Sequence, residues 1–123
     1  TYSAAISACE KGRQWQSALG LFEEVQRRRI VPDTRTYNAA ISACEKGLQW
    51  RSALGLLEDM QGHSIEQNKI TYNAAISACE KGQKWQSSLV LLDGMQQRSI
   101  MPDAITYSAT ISACENGQQW EIA

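Results

Sequence analysis

Residues Thr36–Gly47 read TYNAAISACEKG, and nearly the same words recur at Thr1 (TYSAAISACEKG), Thr71 (TYNAAISACEKG) and Thr106 (TYSATISACENG). The interval is 35 residues each time, without insertion or deletion. A strict period in this range marks a repeat solenoid rather than a single globular core. One such unit is too short to bury a core alone, so neighbouring units must stack. Function is then expected on the extended surface of the stack, not in one enclosed pocket.

The second unit shows what stacks. Tyr37, Ala40, Ile41 and Cys44 fall at i, i+3, i+4 and i+7, one stripe of a helix. Thr36 or the loop before it is expected to cap the start, and Gly47 to supply a C-terminal stop. A second stripe follows in Trp50, Ala53, Leu54, Leu57 and Met60. The same positions read Trp15, Ala18, Leu19 and Phe22 in the first unit and Trp85, Ser88, Leu89 and Leu92 in the third. The few residues around Gly12, Gly47, Gly82 and Gly117 join the two helices, and short links make antiparallel neighbours. Pro32 and Pro102 sit between units, where a missing N–H does no harm. Ile30, Ile65 and Ile100 precede these links and are expected to plug the seams between hairpins. Trp15, Trp50, Trp85 and Trp120 open the second stripe and are expected in the interhelix core, with an aromatic ladder on a binding face as the other reading.

The predicted class is all-α: antiparallel helical hairpins in one array. The units run 1–33 (truncated at its start), 34–68, 69–103 and a partial 104–123. Neither end has the polar face of a terminal cap, so the chain is expected to be a piece of a longer array.

Composition narrows function. Twelve Lys and Arg against thirteen Asp and Glu give a net charge of −1, which weighs mildly against nucleic acid but leaves room for a local basic stripe. No apolar run approaches the ~18 residues of a membrane span, and no targeting signal is visible, so no membrane partner is expected. Cys9, Cys44, Cys79 and Cys114 hold one place in every unit. Stacked helices lie ~8–10 Å apart, too far for adjacent thiols to pair readily, and no zinc spacing is present. These cysteines are expected to be small buried side chains. His63 is the sole histidine, and no nucleophile–base pair, phosphate loop or metal cluster appears. No enzyme, metal, cofactor or small-molecule substrate is expected.

The run TYNAAISACEKG…W…ALGLLEDM…I…D resembles the pentatricopeptide repeat. The match takes in Thr36-Tyr37-Asn38, Ile41-Ser42, Cys44 (one place displaced), Lys46, Ala53-Leu54 and Met60. In the third unit it extends through Met95, Ile100, Pro102 and Asp103. The pattern is that of the plain 35-residue subclass. Departures are Arg35 where the family favours Val or Ile, Trp where the second helix usually has Leu, and Asn116 in place of a basic residue. The resemblance implies a right-handed superhelical solenoid with the first helices on the concave side. It also implies single-stranded RNA binding, one base per repeat, read by two or three side chains.

By that resemblance the base readers are Ser3, Asn38, Asn73 and Ser108, paired with the last residue of each unit, Asp33, Asn68 and Asp103. Asn donates and accepts, ionised Asp only accepts, and Ser has one hydroxyl, so different pairs favour different base edges. The family's code then implies 5′-G-(C/U)-U-3′. Arg35, Ile70 and Ile105 are the base-sandwiching walls. Lys11, Lys46 and Lys81 are the phosphate contacts, diluted by the adjoining Glu10, Glu45 and Glu80. Simpler roles stand beside these. Asn, Ser and Asp near a helix start act as caps, and a Lys in the last turn complements the helix dipole. Arg27, Arg28 and Arg29 are expected as solvated charges on the convex side. The resemblance further implies a role in RNA processing, stability, editing or translation in a mitochondrion or chloroplast, beside other RNA-processing proteins. The alternative is a protein-interaction scaffold using the same groove.

Overall fold

A computed structural model describes residues 2–12, 14–30 and 32–116; the side chains of Tyr2, Ser3 and Asn116 lie outside that description. Among the described residues the elements are seven helices: α1 (Tyr2–Lys11), α2 (Trp15–Arg27), α3 (Thr34–Lys46), α4 (Trp50–Gly62), α5 (Lys69–Lys81), α6 (Trp85–Gln97) and α7 (Ala104–Asn116). No strand occurs among them. The chain is an α-solenoid of antiparallel hairpins, α1–α2, α3–α4 and α5–α6, with α7 packed next in line.

The first helices form a continuous layer in which α1 touches α3, α3 touches α5 and α5 touches α7. Each second helix packs on its own partner and on the first helix of the next unit, while among the described residues α2, α4 and α6 do not meet one another. The first-helix layer is thus the tighter, concave one.

The core follows the predicted stripes in the second unit, while in the third the predicted Leu89 is exposed and Leu91 is buried instead. Tyr37, Ala40, Ile41 and Cys44 are buried, as are Ala53, Leu57 and Met60. Tyr37 meets Phe22 of the preceding hairpin edge-on, with ring centroids 4.8 Å apart. Its hydroxyl donates to Asp59 Oδ2 at 2.6 Å, and Gln26 Nε2 donates to the same oxygen at 3.1 Å. Burial and the Asp59 carboxylate push the Tyr37 phenol well above its ordinary range. One side chain so ties α2, α3 and α4 together. At the next hairpin Gly94 stands where Asp59 would, and the Tyr72 hydroxyl instead takes a 3.4 Å bond from Gln61. Cys44 and Cys79 are fully buried, and burial raises their thiols to about 12 and about 11, which leaves them protonated and unreactive.

Several expectations need correction. Gly47 and Gly82 do follow the first helices, but with φ of −87° and −85° they are not the left-handed stop. That conformation falls one residue later, on Leu48 (φ 60°) and Gln83 (φ 59°), and on Arg29, Ser64 and Ser99 after the second helices. The 6→1 bonds that close each end, such as Gln49 N to Cys44 O at 2.8 Å and Ile65 N to Met60 O at 2.9 Å, show a Schellman stop without glycine. Gly47 is needed for space. A Cβ there would lie 2.3 Å from the Trp15 ring, and one on Gly82 would lie 2.4 Å from Trp50. These tryptophans are therefore half-buried wedges between successive repeats, not residues of a single hairpin's interior; Lys84 Nζ covers the Trp50 ring at 4.9 Å. Trp120 lies outside the described residues. A further correction concerns the seam isoleucines. Ile65 and Ile100 pack on the core, whereas Ile30 is largely exposed.

Gly47→Ala should lower stability by about 1–3 kcal/mol through overpacking against Trp15. Gly55→Ala, where nothing lies within 4 Å, should raise it by about 0.5–1 kcal/mol through helix propensity. Equal effects in urea denaturation would refute the wedge. Ser88 occupies the place of Ala18 and Ala53, is fully buried, and its hydroxyl has no hydrogen-bond partner. Ser88→Ala should therefore stabilise by about 1 kcal/mol, read as a higher denaturation midpoint at unchanged slope.

Candidate nucleic-acid interface

The predicted readers sit one turn into successive first helices: Asn38 on α3, Asn73 on α5 and Ser108 on α7. Their depth differs. Asn38 is only 9% exposed, Asn73 is half-buried and Ser108 is exposed. Ser3 lies in α1, but its side chain is outside the described residues.

The last residues of the units are helix N-caps. Asp33 Oδ1 accepts the Thr36 N–H at 2.9 Å, Asn68 Oδ1 the Thr71 N–H at 3.1 Å, and Asp103 Oδ1 the Thr106 N–H at 3.0 Å. Thr71 Oγ1 in return accepts the Asn68 N–H at 3.1 Å, completing a capping box. The cap is thus the residue before the helix, and Thr36 is its partner. Capping does not remove these residues from the groove. Asn68 Oδ1 also takes a 3.1 Å bond from Asn38 Nδ2, which joins the two predicted readers of one repeat directly. The Thr71 hydroxyl contacts Asn38 Oδ1, and the Thr106 hydroxyl contacts Asn73 Oδ1.

A concave groove of about 460 Å³ opens between these helices. Its lining includes Arg35, Asn38, Asn68 and Ile70, so a predicted reader pair and its two predicted walls share one groove, with Ser7 and Glu10 also lining it. A second groove of about 400 Å³ is lined by Ile105, Ser108, Ser112 and Glu80. Ile70 and Ile105 are 64% and 63% exposed, an exposure that Val90 at 70% and Ile111 at 59% share elsewhere in the array. They hold flat apolar surface in solvent, next to hydrogen-bonding groups.

The lysines are arranged differently from a bare positive line. Lys46 Nζ is ion-paired with Glu10 of the preceding repeat, and Lys81 Nζ with Glu45. Lys11 is exposed at the end of α1. Lys69 Nζ lies 3.4 Å from Asp103 Oδ2. A phosphate reaching Lys46 or Lys81 has to compete with a carboxylate already in place. Sequence reading placed Glu10 and Lys46 on separate units and saw only local dilution. Their offset of 36 residues, one more than the period, is the signal that would have revealed the ladder. The roles of Thr71 and Thr106 were also missed, because a threonine at a helix start reads as a cap, and its contact with the asparagine 33 residues earlier appears only once the hairpins pack.

Asp33 and Asp103 have carboxyls held below the usual value of 3.8, foremost by the backbone N–H groups of Thr36 and Thr106. Both are therefore anionic acceptors at neutral pH.

An array of 35-residue hairpins that repeats its polar positions along one concave layer defines a class of binding solenoid. The chain belongs to the PPR repeat family, whose sequence profile matches residues 1–46, 32–81 and 67–116. A comparison with curated protein sequences gave no match. Solved structures share the fold. The pentatricopeptide repeat protein PPR10 from maize aligns over 98% of this chain at 22% identity and a TM-score of 0.83. PPR10 in complex with an 18-nt psaJ RNA element aligns over 92% at 23% identity and 0.82. The PPR domain of Arabidopsis thaliana protein-only RNase P 1 in complex with tRNA aligns over 99%, covering 69% of that domain's chain, at 16% identity and 0.84. The chain spans only 17% of the length of either PPR10 chain.

A lowered native carboxyl pKa means that the Asp33 cap contributes fully above the ordinary carboxylate range and loses its effect as pH falls below 3.8 through the native value. Asp33→Ala should cost about 1 kcal/mol at pH 7 and progressively less below pH 3.8. A deficit that persists unchanged at pH 2.5 would show that the charge is irrelevant.

Proposed function

We propose that this chain binds single-stranded RNA along its first-helix layer, one base per repeat, with sequence selectivity. The observation that carries the reading is the groove whose lining Asn38 and Asn68, hydrogen-bonded together, share with Arg35 and Ile70. An unstacked base offers a polar edge and two flat faces. This groove supplies donors and acceptors for the first and an aliphatic chain and a guanidinium plane for the second. The RNA complexes of PPR10 and of protein-only RNase P 1 lend support from the same fold.

Asn38 with Asn68 reads C or U, Asn73 with Asp103 reads U, and Ser3 with Asp33 reads G, for a target of 5′-G-(C/U)-U-3′. Ser108 opens the next step, with Ile105 as its wall. Lys11, Lys46 and Lys81 meet the phosphates, the latter two by leaving Glu10 and Glu45. The role is passive: covering or positioning a transcript for other RNA-processing proteins, in a mitochondrion or chloroplast.

Binding of short RNA should weaken with salt at a log–log slope of about −0.7 per neutralised phosphate. Three bases at ~1–3 kcal/mol of stacking each make the affinity low, so NMR titration is the suitable measurement. Asn73→Ser combined with Asp103→Asn should shift preference at that base from U toward A. Equal affinity of both proteins for all four homopolymers would refute base reading. A flat salt response together with peptide binding in the groove would point to a protein scaffold instead.

A further inference from the structure

We propose, resting on the base-reading function above, that Thr71 and Thr106 are positioning residues that set the amide orientation of the reading asparagine in the repeat before their own. An asparagine amide is nearly symmetric in shape, yet one end donates and the other accepts. A reader free to turn over would offer either end to a base and would discriminate poorly. Something must hold it.

The structure supplies the holder from the neighbouring hairpin. Thr71 is fully buried, and its branched side chain has few rotamers. Its hydroxyl oxygen is fixed by the Asn68 N–H at 3.1 Å, part of the capping box of α5. The hydroxyl meets Asn38 Oδ1, and Asn38 Nδ2 donates to Asn68 Oδ1 at 3.1 Å. Both ends of the Asn38 amide are thereby assigned, with one N–H left for a ligand. Thr106 repeats the threonine contact one unit on, where only the oxygen end of the Asn73 amide is held. It is fully buried, accepts the Asp103 N–H at 3.2 Å and meets Asn73 Oδ1.

One further contact links the two readers of a repeat. Asp103 Oδ1 lies 3.0 Å from Thr106 Oγ1, as Asn68 Oδ1 does from Thr71 Oγ1. A hydroxyl has a single proton, so the last residue of the unit and the reading amide compete for it. The hydroxyl stands closer to the reading amide's oxygen than to the capping oxygen in both repeats, so the amide holds the proton and the capping residue weakens that hold. The residue closing each repeat therefore acts on the base in two ways, directly and through the amide that the threonine orients. Each reading site is complete only when the next repeat is docked.

The test uses the whole chain with short RNAs that differ at one base, followed by NMR titration. Thr106→Val keeps the shape and removes the hydroxyl. The U-over-C ratio at the base facing Asn73 should fall by about fivefold, the worth of one net hydrogen bond. The ratio at the base facing Asn38 should stay as it was. Thr106→Ser should restore selectivity. Ile76→Val, a core truncation with no part in reading, should lower stability and leave both ratios unchanged, separating positioning from loss of fold. Without RNA, the Asn73 side-chain amide signals should move in Thr106→Val and return in Thr106→Ser. Unmoved amide signals, or a U-over-C ratio retained in Thr106→Val, would overturn the positioning role. An unsubstituted chain with no base preference would instead overturn base reading, and the RNA-free amide signals would then decide the threonine contact by themselves.

Discussion

Tyr37 can be buried only if two hairpins meet. Its ring is closed over by Phe22 of the preceding unit, and its hydroxyl is satisfied by Asp59 of its own second helix, an oxygen shared with Gln26. No isolated hairpin supplies all three partners. The cost of exposing a large aromatic side chain, or of burying its hydroxyl unpaired, forces each unit onto its neighbour. Stacking in one fixed register follows, and with it the alignment of every exposed position on the first helices.

The seams use a second device on the same principle. Trp15 and Trp50 lie against the glycines that end the following first helices, so the distance between repeats is set by a ring where a side chain would otherwise stand. The first helices touch along their length and the second helices do not, which bends the array toward the first-helix layer. The groove is a by-product of that curvature. Its polar floor is made of the groups that end and begin helices, because a helix start leaves N–H groups that must find acceptors.

Helix capping and the polar floor of the groove are therefore one arrangement viewed from two sides. Asp33, Asn68 and Asp103 each use one oxygen to stop a helix start. Asp103 Oδ2 in addition lies near Lys69. The Glu10–Lys46 and Glu45–Lys81 pairs show the same economy, since they bind neighbouring repeats and also hold the cations of the groove in a neutral setting. A near-zero net charge is compatible with phosphate contact when the cations are released locally. The structural relatives keep this fold at 16–23% identity because it depends on few positions per repeat.

The period of 35 and the two apolar stripes were enough to read an array of helical hairpins and the burial of Cys44 and Cys79, although Cys9 and Cys114, expected to be buried with them, are only partly so. Those features are local or strictly periodic, so one dimension contains them. Contacts between units recur with the same period, but their partners lie more than thirty residues apart in the chain. The wedge of Trp15 on Gly47, the Glu10–Lys46 pair and the grip of Thr71 on Asn38 depend on how far and at what angle one hairpin lies from the next. The amino-acid order determined which side chains recur and on which helical face. Only packing decided which of them meet across the seam, because the separation of two hairpins is set by the volumes and polar partners of both.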